Sequence, residues 1–170
     1  MIRFLEKEDI PAYHKLITKV WQETYPGIVN QRFLEHIAKT ENQRIELYTI
    51  TYNNSIKDTL LLEIDNQIIG LVHFGTTDDP LYPNTGEIFA LYILSKYKGK
   101  GYGRQLVQAA VKELIKLSHT NMIIGCIEQN PSNEFYKHIG GILKSQRPYP
   151  KTGDNLVENI YYFENIKKLL

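Results

Sequence analysis

The sequence GEIFALYILSKYKGKGYGRQLVQAAVKELIKL, residues 86–117, predicts a β-strand, a glycine-rich loop and an α-helix in succession. Its first eight residues are mostly β-branched, aromatic or aliphatic, which is typical of a strand. Apolar residues recur at helical spacing from residue 106 to residue 117. Between these two elements lies the basic, glycine-rich stretch Lys98-Gly99-Lys100-Gly101-Tyr102-Gly103-Arg104.

The glycine loop is expected to bind an anion. Glycine has no Cβ, so the backbone can turn sharply and bring its N–H groups close to a ligand. The loop also leads into a helix N-terminus, where free N–H groups and the helix dipole attract negative charge. We therefore predict a phosphate or pyrophosphate site at residues 98–104, flanked by Lys98, Lys100 and Arg104. A glycine turn with a solvated basic face is the structural alternative.

Two common nucleotide-binding loops do not fit these residues. The P-loop requires Gly-Lys-Ser/Thr, which is missing here. The dinucleotide fingerprint requires G-x-G-x-x-G and an acidic residue about twenty positions later, where this chain has Asn121 and Met122. The loop instead resembles the acyl-CoA loop of the GNAT superfamily of N-acetyltransferases, Gln/Arg-x-x-Gly-x-Gly/Ala. Lys98 departs from that pattern at its first position.

A second segment carries the same resemblance. Residues 130–141, NPSNEFYKHIGG, are similar to the GNAT segment Asn…Phe-Tyr-Glu-x-x-Gly-Phe. Lys137 stands where glutamate is common, and Gly141 stands where phenylalanine is usual. The interval from Asn130 to Tyr136 is one residue shorter than the commonest one.

The rest of the chain predicts an α/β fold with a mixed, mostly antiparallel central sheet and helices on both faces. The predicted order is strand, two helices, three strands, helix, strand, helix and two strands, within a single domain spanning residues 1–170. Besides the central strand, strands are expected at residues 1–5, 59–64, 67–75, 122–127, 142–149 and 156–163. Besides the helix after the loop, helices are expected at residues 10–25, 31–38 and 131–138. Residues 41–58 fit either a helix end or a strand. This order resembles the GNAT fold, the acyl-CoA N-acyltransferase fold, over most of the chain.

The resemblance implies direct transfer of an acetyl group from acetyl-CoA to an amine, without an acyl-enzyme. It implies that Glu87 is the general base, since Glu87 lies fourteen residues before Gly101, as in members with a glutamate base on this strand. It also implies that Tyr136 is the acid near the CoA sulfur. The structural alternatives are a solvated or ion-paired Glu87 and a Tyr136 that packs in the core.

Other binding roles are also implied by the resemblance. Asn130 is expected to hold the cofactor arm, and the backbone of Leu91, Tyr92 and Ile93 to bind the pantetheine and supply the oxyanion donor. Trp21, Tyr25 and Glu87 are expected at the acceptor, although core packing explains the two aromatic residues equally well.

The composition of the chain indicates which kinds of ligand and partner to expect. A net charge of +1 lacks the extended positive field of a general nucleic-acid binder. No signal peptide, membrane span or metal-ligand spacing is evident, and the single Cys126 can form no internal disulfide, so we expect a cytoplasmic protein without a metal. The expected acceptor is a small amine, such as a polyamine, amino acid or drug, bound by a monomer or homodimer. A protein or peptide acceptor and a non-catalytic acyl-CoA sensor are the alternatives.

Overall fold

The computed structural model describes all of residues 1–170, and its centre is a seven-stranded mixed sheet. The strands are β1 (Ile2–Phe4), β2 (Thr59–Ile64), β3 (Gln67–Thr76), β4 (Gly86–Ile93), β5 (Met122–Ile127), β6 (Ile142–Tyr149) and β7 (Leu156–Phe163). Their order across the sheet is β1-β2-β3-β4-β5-β7-β6. Only β4 and β5 are parallel neighbours, so the mixed, mostly antiparallel sheet is confirmed.

Five α-helices flank this sheet. They are α1 (Ile10–Thr24), α2 (Gln31–Lys39), α3 (Glu41–Thr51), α4 (Tyr102–Lys116) and α5 (Asn133–His138). Helix α3 occupies the segment that the sequence left open. Helix α5 begins two residues later than predicted, because Oδ1 of Asn130 accepts the N–H of Ser132 in a tight turn that precedes the helix. None of the five helices has the length and hydropathy needed to cross a membrane.

The main hydrophobic core lies between the sheet and helices α1 and α4. Helix α4 buries one face, formed by Leu106, Val107, Ala110, Val111 and Leu114, as its helical spacing predicts. A smaller cluster joins the end of α1 to α2 and to the end of β5, and comprises Trp21, Tyr25, Val29, Leu34, Ile37 and Ile127. This second cluster closes one end of the cleft described next.

The parallel pair at the centre of the sheet separates soon after it forms. Strands β4 and β5 are paired only from Gly86–Met122 to Ile88–Ile124, although β4 continues to Ile93 and β5 to Ile127. The register of β4 against β3 shifts at the same level, which leaves an irregularity beside residue 89. The second half of β4 therefore presents an unpaired main-chain edge to a cleft.

Candidate active site

A cavity of about 580 Å³ occupies the cleft between β4 and β5. It extends from the glycine loop, past α5, to the side chains of β6 and β7. Most predicted site residues line it, namely Tyr25, Leu91, Tyr92, Ile93, Lys98, Gly99, Gly101, Gly103, Arg104, Asn130 and Tyr136. Four predicted residues do not line it, namely Trp21, Glu87, Lys100 and Tyr102.

The glycine loop presents an uninterrupted row of free main-chain donors. The N–H groups of residues 99–104 form no hydrogen bond within the protein, whereas those on either side, at Lys98 and Gln105, do. Gly99 and Gly101 have φ angles of +74° and +81°, in the left-handed region that glycine adopts without strain. Gly101 also directly precedes α4, so the row continues into a helix N-terminus. Such a concave row of N–H groups matches a diphosphate.

The basic residues around this loop have different surroundings. Lys98 and Arg104 are exposed and line the cavity, where they add positive charge to the N–H row. The Lys100 ammonium lies 5.5 Å from the centre of the Tyr97 ring, and Tyr102 packs edge-on against the same ring. Tyr97 lines the cavity, whereas Lys100 and Tyr102 do not. Lys100 and Tyr102 therefore contact the outer side of the Tyr97 ring and support the cavity wall.

The Tyr136 hydroxyl faces the cavity without a hydrogen-bond partner in the protein. The side chain is buried and packs against Phe135 and Tyr161. Burial raises the pKa of Tyr136 above its ordinary value, and the neighbouring Cys126 thiol adds to this, so the phenol keeps its proton. Cys126 also lines the cavity, and burial raises the pKa of its thiol to about 12. This site thus offers a neutral hydroxyl donor and an uncharged thiol.

Glu87 lies behind the cavity wall in a buried charge cluster. Its side chain is 3% exposed, and its carboxylate accepts hydrogen bonds from Thr77 and, at 2.7 Å, from Nη2 of Arg147. Arg147 also donates to Asp79 at 3.0 Å and, through Nε, to Glu158 at 2.6 Å. One guanidinium thus bridges three carboxylates, and neither it nor Glu87 lines the cavity.

Glu158 is the carboxylate of this cluster that lines the cavity, and sequence reasoning missed it. Burial raises its pKa above the ordinary value; Arg147 opposes the rise, while Glu87 and Asp79 add to it. Its strand, LVENIYYF, reads as an ordinary closing strand. The alternation of side chains on β7 could have placed Glu158 on one face of the sheet, but the partner Arg147 is fixed only by the β6–β7 pairing.

The aromatic residues predicted at the acceptor form one connected group. Trp21 is buried, and its indole N–H donates to the Tyr92 hydroxyl at 3.1 Å. The Trp21 and Tyr25 rings lie 4.4 Å apart, and the Tyr25 hydroxyl accepts a 3.1 Å hydrogen bond from Nδ2 of Asn130. Trp21 therefore positions two lining tyrosines without reaching the cavity itself. The Asn130 amide contributes to holding Tyr25 in place.

Asn133 fixes helix α5, and with it Tyr136, to the sheet. Its Nδ2 donates to the main-chain carbonyls of Ile127 at 2.9 Å and Asn130 at 2.6 Å. Its Oδ1 accepts from Asn159 at 3.0 Å and from the Tyr161 hydroxyl at 2.8 Å. A buried amide with this many partners is rigid, because the loss of any one leaves a buried polar group unpaired.

Comparison with known proteins agrees with this geometry. Residues 15–140 match the model of the acetyltransferase (GNAT) family. The chain is 26% identical over 137 residues to the uncharacterized N-acetyltransferase YuaI of Bacillus subtilis, covering 80% of this chain and 76% of YuaI.

Solved structures show the same fold. The PaiA N-acetyltransferase of Thermoplasma acidophilum, in complex with coenzyme A, superimposes with a TM-score of 0.74 at 22% identity, covering 95% of this chain and 96% of its own. YncA of Salmonella typhimurium, a putative acetyltransferase with acetyl-CoA bound, has a TM-score of 0.65 at 22% identity, covering 96% and 92% respectively.

Proposed function

The chain belongs to the acetyltransferase (GNAT) family, whose members use acetyl-CoA, and we propose that it moves the acetyl group directly to a primary amine of a small molecule. The observation that carries this proposal is the continuous cavity between β4 and β5. One end has the row of free N–H groups, the middle has the Tyr136 hydroxyl, and the far end has aromatic rings and Glu158. Donor, reacting group and acceptor can therefore meet in one cavity.

The donor end binds the coenzyme through the main chain. The N–H groups of residues 99–104 hold the diphosphate, and Lys98 and Arg104 supply the compensating charge. The unpaired edge of β4 after Ile88 binds the pantetheine arm, and a main-chain N–H between Leu91 and Ile93 stabilises the developing oxyanion.

Tyr136 serves as the acid for the departing thiolate. Its hydroxyl is protonated and has no partner in the protein, so it is free to donate to the sulfur. The transfer is direct, since the only cysteine in the cavity has a pKa of about 12 and is a poor nucleophile at neutral pH. Glu87, predicted from sequence as the base, stays a hypothesis to be tested beside the other carboxylates of its cluster.

A small acceptor is favoured by the size and lining of the cavity. A volume of about 580 Å³ falls in the range of small-molecule sites. Tyr25, Tyr92 and Tyr149 line the cavity together with the Glu158 carboxylate, and tyrosine rings and a carboxylate suit an ammonium group.

The proposal is tested by thiol release from acetyl-CoA with a panel of polyamines, amino acids, aminoglycosides and peptides with free N-termini. We expect release with at least one small amine and little with peptides. Preference for a peptide would move the acceptor class to proteins. Tight CoA binding with no release for any amine would instead indicate an acyl-CoA sensor.

A further inference from the structure

One oxygen of Glu158 is left free at the acceptor end of the cavity. The side chain is 12% exposed, and its Oε1 accepts the 2.6 Å hydrogen bond from Arg147. Oε2 has no hydrogen-bond partner in the protein, and it is not fully buried. Oε2 packs over Gly125, and both Gly125 and Glu158 line the cavity, so this open oxygen is available to a ligand there.

The position of that oxygen is set by two neighbours. Arg147 holds the other end of the carboxylate, and is itself anchored by Asp79 and Glu87. The second neighbour is Gly125 on β5. A Cβ added there would overlap Oε2 of Glu158 and lie 2.8 Å from its Cδ, so the carboxylate occupies the space that any larger residue would need. Strand β5 therefore has a glycine at the position against which the Glu158 carboxylate packs.

The geometry points to Glu158 as the residue that binds the acceptor ammonium and takes its proton, with Arg147 and Glu87 as positioning residues. This assignment rests on the proposed acetyl transfer to an amine, and it names the acceptor class as a cationic alkyl amine. Three carboxylates around one guanidinium leave an excess of negative charge at this end of the cavity. An ammonium ion offsets that excess, and the adjacent tyrosine rings favour it further.

The proton balance of the step is complete. The acceptor enters as R–NH₃⁺, and Oε2 of Glu158 takes one proton, which leaves a neutral amine. The nitrogen lone pair forms the C–N bond at the thioester carbon, and the carbonyl electrons move onto oxygen. When the C–S bond breaks, Tyr136 gives its proton to sulfur and is reprotonated by the one that the new amide nitrogen releases. Glu158 returns its proton to solvent.

The acidic limb of the profile of kcat/KM against pH, called here the acid-side ionisation, is expected to report the ionisation of the Glu158 carboxylate. The titratable or charged groups that face Glu158 are Arg147 and Tyr149 on β6, Glu87 on β4, Cys126 on β5 and Asp79 after β3. Burial outweighs Arg147, so Glu158 becomes a carboxylate only above the usual range for glutamate. Removing the charge of Glu87 lowers the pKa of Glu158, because the two carboxylates repel each other.

The test compares Glu158→Gln, Glu87→Gln and the wild type from about pH 5 to about pH 10. Thiol release is followed with putrescine and with the best acceptor of the panel, and CoA affinity is measured by calorimetry. Glu158→Gln is expected to lower kcat/KM by about 10²–10⁴-fold and to abolish the acid-side ionisation, with CoA affinity retained. Glu87→Gln is expected to keep that ionisation but move it to lower pH.

A matched control is Glu128→Gln, which removes the same charge from an exposed residue next to β5 whose side chain hydrogen-bonds only to Gln146. Its pH profile should equal that of the wild type. The inference is overturned if Glu158→Gln keeps the wild-type profile, or if Glu87→Gln alone abolishes the acid limb, which would make Glu87 the base. If the wild type binds CoA but acetylates no amine, the proposed function fails instead.

Discussion

Gly125→Ala tests the placement of the Glu158 carboxylate without altering any ionisable group. The new Cβ would lie 2.8 Å from Cδ of Glu158, whereas non-bonded carbons prefer about 3.5–4.0 Å, so the carboxyl group must move by about 1 Å. The φ angle of Gly125 is not in the left-handed region, so alanine is compatible with the backbone. The protein should therefore fold, with its free carboxylate oxygen displaced.

A displacement of about 1 Å at a catalytic group lowers kcat/KM by about 10²-fold. Thiol release measures that loss, and calorimetry should show that CoA affinity is little changed. The double variant Gly125→Ala/Glu158→Gln provides the control: if the loss acts through Glu158, the double variant is no worse than Glu158→Gln alone. Wild-type activity in Gly125→Ala, or fully additive losses in the double variant, would refute the reasoning.

Three further predictions concern other parts of the site. Tyr136→Phe should lower kcat by about 10²-fold or more while CoA affinity stays the same, as measured by turnover and calorimetry; unchanged turnover would reduce Tyr136 to a packing residue. Gly101→Ala should lower the free energy of unfolding by about 1–2 kcal/mol and weaken CoA binding, because alanine is strained at a φ of +81°. No neighbouring atom would clash with the new Cβ, so backbone strain is the only expected cause. Denaturant titration measures the stability and calorimetry measures the CoA affinity; full CoA affinity would exclude the loop from the diphosphate site. Glu158→Gln should gain stability relative to the wild type as pH rises above 4.5, since burial raises the pKa of Glu158 above that ordinary value and folding then opposes its ionisation. Thermal melts of both proteins at acidic and neutral pH measure the difference, and a difference that does not grow with pH contradicts the prediction.

The parts of the site that sequence could predict are those set by local structure. The glycine alternation from Gly99 to Gly103 and the apolar spacing of α4 are readable within twenty residues, and both are present in the structure. The sequence of α3 fits either a helix or a strand, because the helix has no fully buried residue and therefore no strong apolar face that a pattern could identify. A weakly amphipathic segment is fixed by its neighbours more than by its own pattern.

The parts that sequence could not predict depend on contacts between distant segments. The separation of β4 from β5 depends on which residues of the two strands pair, and no residue type in either strand predicts where the pairing ends. Spacing along β4 predicts Glu87 as the base, and this stays a prediction; the partner of its carboxylate, Arg147, lies sixty residues away and could not be identified from that spacing. The role proposed for Glu158 depends on its contacts with Gly125 and Arg147, which lie on two other strands.

The charge cluster at the acceptor end is better explained by turnover than by stability. Buried ion pairs are often no more stabilising than apolar residues of the same size, and a cluster with three carboxylates and one guanidinium is unbalanced as well. In the proposed reaction, a protonated amine that binds next to Glu158 corrects that imbalance. Acetylation converts the same nitrogen to a neutral amide, which removes the correction and weakens binding. In the proposed reaction the cluster therefore favours the cationic substrate over the neutral product, because the amide no longer offsets the negative charge.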